Sequence, residues 1–320
     1  FQVPDAGTYW YHSHHQSWEQ VARGLYGPLI VDEIDPPEVD ADITVTLDDW
    51  RLDEAGAVMG GFGNMHDFSH AGRLGNYAMI LPSRENVRLG DRIRLRLVNT
   101  ATARVFPIRV EGLNAKVVAL DGMPLAEPRD LSDIQIAPAQ RVDIIGDVTA
   151  RVEFLFVARD ELYDMGSLAI EGENPDPTTS NISALPPPNL PDPIVTPDNS
   201  LTLRMEGGAM GGRHAGDDIW ALNGVSGLKD APFATFNRGE TAVIDLINDT
   251  SFPHGIHLHG HHFHELNDDG SMGDFRDTSL VERGASRKIA AVFDNPGKWL
   301  LHCHMLGHQA SGMKTWVEVT

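Results

Sequence analysis

A chain of 320 residues is long enough for about two domains of ordinary size, and 41% hydrophobic residues are enough to fill their cores. A formal net charge of −21 argues against a nucleic-acid partner, because a phosphate backbone would be repelled; it suits a soluble exported protein or one that draws cations, and solubility alone explains it equally well. No apolar run approaches the roughly 18 residues of a membrane span, and a single cysteine excludes an internal disulfide.

Taken in chain order, residues 1–34 read as the end of a β domain. In Tyr9-Trp10-Tyr11-His12-Ser13-His14 the side chains alternate, so His12 and His14 share one face of an extended segment, while His15 points to the other and reads as a non-ligand. Residues 24–31 are a turn followed by an apolar strand, closed by the linker signal Asp35-Pro36-Pro37. Residues 35–172 read as a second β domain. Arg92-Ile93-Arg94-Leu95-Arg96-Leu97-Val98 is a period-two strand with one charged face, and Asp121-Gly122 is a hairpin-type turn. This domain has no ligand motif of its own. Its glycine-rich stretch 60–70, with Met65, His66 and His70, reads as an ordinary long loop, with a metal contact through these soft donors as the sharper alternative. Residues 173–200 hold eight prolines and read as an extended linker, since proline cannot support a sheet interior. Residues 201–320 form a third β domain, with a glycine loop holding Met210 and His214. Many short strands with Gly/Pro turns and little helical periodicity predict an all-β sandwich architecture.

The last twenty residues carry the chemistry. Cys303, the only cysteine, lies between His302 and His304, with His308 and Met313 following. In a strand, Cys303 points to one face and both flanking histidines to the other, so one metal can sit on each side, joined by a few covalent bonds. Thiolate, imidazole and a distant thioether form the ligand set of a blue copper site. Alone, Cys303 is better read as an inert core cysteine. The second cluster, His254, His257 and His259, shifts the balance, because His257 and His259 again share a strand face.

On these motifs, namely residues 7–14, 254–259 and 302–313, the chain resembles the multicopper oxidases: laccases, bilirubin oxidases and bacterial cuprous oxidases. The resemblance implies consecutive cupredoxin-like Greek-key domains in a three-domain arrangement: a remnant of the first domain in 1–34, a copper-free second domain in 35–172, the linker, and a third domain in 201–320. It also implies His254, Cys303 and His308 as type 1 copper ligands with Met313 as the weak axial one, His257 on type 2 copper, and His12, His14, His259, His302 and His304 on the type 3 pair. Cys303, His302 and His304 would then carry electrons from a phenol, aromatic amine or Cu(I) towards O2, which is reduced to water. Periplasmic or secreted localisation follows from the same resemblance. Met272, Asp274, Asp277 and Thr278 are expected on the surface near the type 1 site. The family also carries an H-x-H-G element upstream of the Tyr-His-Ser-His segment; this sequence begins at Phe1, so a C-terminal portion of a longer polypeptide is expected. Gly307 stands where several cuprous oxidases have a glutamate that helps deliver protons.

Overall fold

The computed structural model describes residues 3–159, 161–194, 200–209 and 219–320. Strands dominate and the helices are short, in agreement with the all-β expectation. The chain divides into two compact units, one of residues 1–12, 25–59 and 75–189, the other of residues 13–24, 60–74 and 190–320. Residues 13–24 and 60–74 group with the unit that holds Cys303.

In the first unit, strand Arg92–Asn99 lies between Ala41–Trp50, which runs parallel to it, and Arg141–Ala158, which runs antiparallel. Ile93, Leu95 and Leu97 alternate into a core with Ile43, Val45, Leu47, Phe106, Ile144 and Phe154. The arginines between them face the other way, yet every residue of the strand is buried. Arg94 pairs with Asp143 at 2.7 Å and Glu33 at 2.8 Å, and Arg96 with Asp42 at 2.7 Å. The Thr8 hydroxyl, on strand Gly7–His12, accepts from Arg96 at 3.0 Å and donates to Asp143 at 2.9 Å, while Arg141 donates to the Thr8 carbonyl at 3.0 Å. The charged face is thus the anchorage of strand Gly7–His12. A buried charge costs several kcal/mol, on the order of 3–5, when its partner is missing, so the pairing fixes the strand.

The proline-rich segment holds no strand from 174 to 194. It is nonetheless anchored: Leu185 is buried against Val118, Ala119 and Ile145. Pro197 of that segment, and Met210 and His214 of the glycine loop, lie outside the described residues.

The second unit pairs a six-stranded sheet with a five-stranded one. The five-stranded sheet sets the motifs side by side. Strand His254–Leu258 runs antiparallel to Gly297–Cys303, with Ile256 opposite Cys303 and His257 opposite His302. Beyond Cys303 the chain turns through helix Leu306–Ala310 and returns as strand Lys314–Val319. The turn passes Gly312 at φ 126°, where an added Cβ would lie 2.2 Å from the Trp220 carbonyl oxygen, so only glycine fits there.

Candidate copper centre

The segment from Cys303 to Met313 closes on itself. The His308 amide donates to the Met305 carbonyl at 2.9 Å, the Met313 amide to the His308 carbonyl at 2.9 Å, and the Cys303 amide to the Met313 carbonyl at 3.0 Å. This brings His308 back over Cys303, and the neighbouring strand supplies His254. Cys303 Sγ lies 3.5 Å from His254 Nδ1 and 3.7 Å from His308 Nδ1, and the two nitrogens are 3.1 Å apart. Among the described residues this is the one group of three or more His, Cys, Asp or Glu side chains with ligand atoms gathered so closely. A triangle with those sides has its centre about 2.0 Å from each corner, the length of a metal–imidazole bond and slightly short of the roughly 2.3 Å of a metal–thiolate bond.

The far side of each imidazole is held. Thr250 Oγ1, which donates to Asn248 at 2.7 Å, accepts from His254 Nε2 at 2.8 Å, and the His70 carbonyl accepts from His308 Nε2 at 2.6 Å. Protons therefore sit on Nε2 and both Nδ1 lone pairs face the thiol, an arrangement that orients metal ligands. His254, Cys303 and His308 are fully buried. Burial lowers the pKa of His308 to about 4 and that of His254 well below the ordinary value, and pushes the Cys303 thiol up to about 12. Neutral imidazoles beside a thiol that ionises only with a cation at hand suit a soft first-row metal, so the donor set fits copper.

Met313 is also fully buried, and its backbone ties it to both Cys303 and His308. A second thioether went unnoticed in the sequence: Met305 Sδ lies 3.6 Å from Cys303 Sγ and accepts the Gly255 amide at 3.2 Å. Trp220, wholly buried, covers both type 1 candidate histidines, with ring centroids 4.3 Å from His308 and 5.1 Å from His254.

On the other face of the same strand lies a group of histidines. His257, His259, His302 and His304 have neighbouring ring centroids 4.9–5.7 Å apart, and His14 joins at 5.1 Å from His259 and 6.1 Å from His302. His259 Nε2 and His302 Nε2 approach to 3.1 Å. His302 Nδ1 donates to the Cys303 carbonyl at 2.9 Å and His257 Nδ1 to the Asp277 carbonyl at 2.9 Å, so in both rings Nε2 is the nitrogen left for a metal. Burial, with the neighbouring His259 and His257, holds His302 well below its ordinary pKa; burial and His257 lower that of His14. The structure thus brings together five of the six histidines expected away from the thiolate. His12 ends strand Gly7–His12 of the first unit, its ring stacked on Trp10 at 4.5 Å.

Two expectations change. Asp277 and Thr278, expected near the thiolate site, bond to His257 in the histidine group, Thr278 Oγ1 at 3.0 Å from His257 Nδ1. Residues 60–70 are more than an ordinary loop: they contain helix Met65–Ser69, whose last turn delivers the His70 carbonyl to His308. The sequence held the signal, since Asn64 and Asp67 stand at the spacing of a capping box and Asn64 Oδ1 accepts the Asp67 amide at 2.9 Å. Of the remaining histidines, His261 packs on Phe293 and Trp299, and His264 stacks on Phe275.

Comparison with known proteins places the chain in a family. Three family profiles, each described as multicopper oxidase, match residues 1–35, 42–182 and 195–320. The chain is 30% identical to the multicopper oxidase MmcO of Mycobacterium tuberculosis, over 99% of this chain and 70% of that protein. Its fold matches the crystal structure of Lac15 from a marine microbial metagenome, with TM-score 0.83 and 49% identity over 100% of this chain and 76% of that one. It also matches a multi-copper oxidase of Pseudomonas thermotolerans, with TM-score 0.87 and 28% identity over 100% of this chain and 78% of that one. The chain belongs to the multicopper oxidase family. Its fold is accordingly cupredoxin-like, and its cofactor is copper of types 1, 2 and 3.

Proposed function

We propose that the chain takes single electrons from a small donor at the Cys303 centre and passes them to the histidine group for four-electron reduction of O2 to water. The observation that carries this reading is the back-to-back arrangement on one strand, with a thiol and two imidazoles on one face and five histidines behind it. In this reading His254, Cys303, His308 and Met313 would hold type 1 copper, His257 would hold type 2, and His12, His14, His259, His302 and His304 would hold the type 3 pair. Copper, when bound, supplies one-electron redox chemistry at the first centre and oxygen binding at the second.

The protein's own part is positioning. Cys303 connects to His302 and His304 through its own backbone, and the hydrogen bond from His302 Nδ1 to the Cys303 carbonyl adds a second link. Full burial of Cys303, His254 and His308 keeps water from the thiolate. Fixed second-side hydrogen bonds hold the imidazoles in one orientation, so little rearrangement accompanies an electron's arrival. Asp277 and Thr278 fix His257 in the same way. The donor in this proposal is a phenol or aromatic amine, with Cu(I) as the alternative, and the protein works in the periplasm or outside the cell.

The test is copper content per chain with the visible spectrum and the donor-to-oxygen ratio. Four coppers, a blue band and four phenols oxidised per O2 are expected, with turnover that persists when free copper is chelated. One copper, a blue band and no O2 uptake would replace this reading with a type 1 electron-transfer protein; turnover lost on chelation would favour Cu(I) as donor.

A further inference from the structure

The type 1 candidates His254 and His308 are both fully buried, so no donor touches either ring directly. What covers His308 is helix Met65–Ser69, packed against helix Leu306–Ala310. The approach is close because residue 307 has no side chain: a Cβ at Gly307 would lie 3.2 Å from the Asp67 carbonyl oxygen and 3.4 Å from the Phe68 ring. Two short bonds fix the cover. Trp220 Nε1 donates to the Phe68 carbonyl at 2.6 Å, and His308 Nε2 donates to the His70 carbonyl at 2.6 Å. On the outer side the rings of His66 and His70 lie parallel, 9° apart in plane and 4.1 Å between centroids. Ser69 Oγ, 3.0 Å from His70 Nδ1, holds the inner ring. His66 is exposed, and Met65 beside it is 68% exposed.

We propose that the outer face of His66, stacked on His70, is the docking platform for a planar phenolic donor, and that its electron crosses through the His70 carbonyl to His308. This rests on the oxidase reading above. One electron leaves the phenol for the cupric ion assigned to Cys303, the hydroxyl proton goes to solvent, and the product is a phenoxyl radical; the proton on His308 Nε2 stays where it is. A third flat ring extends an existing stack with favourable geometry. A metal ion is the poorer occupant, because parallel rings hold their nitrogens in separate planes, and among the described residues no further His, Cys, Asp or Glu group converges here.

The test pairs steady-state kinetics with a binding measurement that needs no turnover. With 2,6-dimethoxyphenol, His66→Ala raises KM by about 3- to 10-fold, the worth of one lost ring contact, while kcat holds; His66→Phe restores KM. In parallel, 4-fluoroanisole, which has no hydroxyl proton to lose, gives a fluorine NMR line broadened by the copper-loaded wild type, and His66→Ala weakens that binding by the same factor. Equal KM and equal broadening in wild type and His66→Ala overturn the proposal, as does a His66→Phe variant no better than His66→Ala. Silver(I), a redox-inert analogue of Cu(I), that displaces fluoroanisole at one equivalent assigns the face to a metal donor and overturns the phenol. If wild type consumes no O2 with the phenol or with ferrocyanide, the oxidase reading fails, and fluoroanisole binding still decides the platform.

Discussion

Cys303 and Asp48 show what burial does to single groups. The Cys303 thiol, pushed up to about 12 by burial, gives up its proton only to a cation, whereas a serine hydroxyl at the same place would not ionise even then. Cys303→Ser is therefore expected to remove one copper per chain, the blue band and phenol oxidation, and to leave copper at the histidine group; metal analysis with visible spectroscopy checks it. Met313→Leu removes a thioether while keeping an apolar side chain of similar size, and is expected to raise the potential of the centre. An unchanged or lowered value in voltammetry would take the axial role from Met313. Asp48 lies in the first unit, where burial raises its pKa from 3.8 to about 7 although the Tyr26 hydroxyl donates to it. A carboxyl whose folded pKa exceeds its unfolded one stabilises the fold fully below the unfolded value and loses that contribution as pH rises through the folded one. The stability of wild type relative to Asp48→Asn should thus fall between about pH 4 and pH 7 and stay level above it. Denaturant unfolding of both proteins across that range gives the difference, and a flat profile would sink the assignment.

At the scale of elements, period two in the sequence was enough to place strand Arg92–Asn99 but said nothing about what lies over its charged face. Alternation describes one strand, whereas the partners of Arg94 and Arg96 come from residues 8, 33, 42 and 143. Removing Asp143 leaves Arg94 buried beside a lost partner, so Asp143→Ala should cost about 3–5 kcal/mol in a denaturant titration. Replacing an exposed pair such as Lys116 and Asp130 should leave the unfolding midpoint nearly unchanged, because water and salt screen it. Helix Met65–Ser69 announced itself in the sequence only through its Asn64 cap. Five residues are too few for a helical period, and its stability comes from the Asn64 cap and from packing on helix Leu306–Ala310.

For the whole molecule, the charge of −21 sets the long-range field. Cationic aromatic amines should be oxidised with a kcat/KM that falls as salt rises, and anionic donors with one that rises, because screening weakens attraction and repulsion alike. Stopped-flow or oxygen-electrode rates between low and physiological salt decide this; no difference between the two donor types would mean that the acidic surface lies away from the donor's approach.

The sequence by itself determined the all-β class, the alternation of Cys303 against His302 and His304, and the candidate ligands, because those follow from local spacing and from ligand chemistry carried by a few residue types. Only the tertiary structure decided that His257 lies opposite His302, that the Met305 thioether rests on Cys303 Sγ, and that Asp277 serves His257. The same holds for residues 60–74, which fold with the unit of Cys303 and place the His70 carbonyl on His308. All but the Met305–Cys303 contact join segments 20 or more residues apart in the chain. Such contacts are set by sheet register and by space left empty, as at Gly307, and neither leaves a mark in a local pattern of residues.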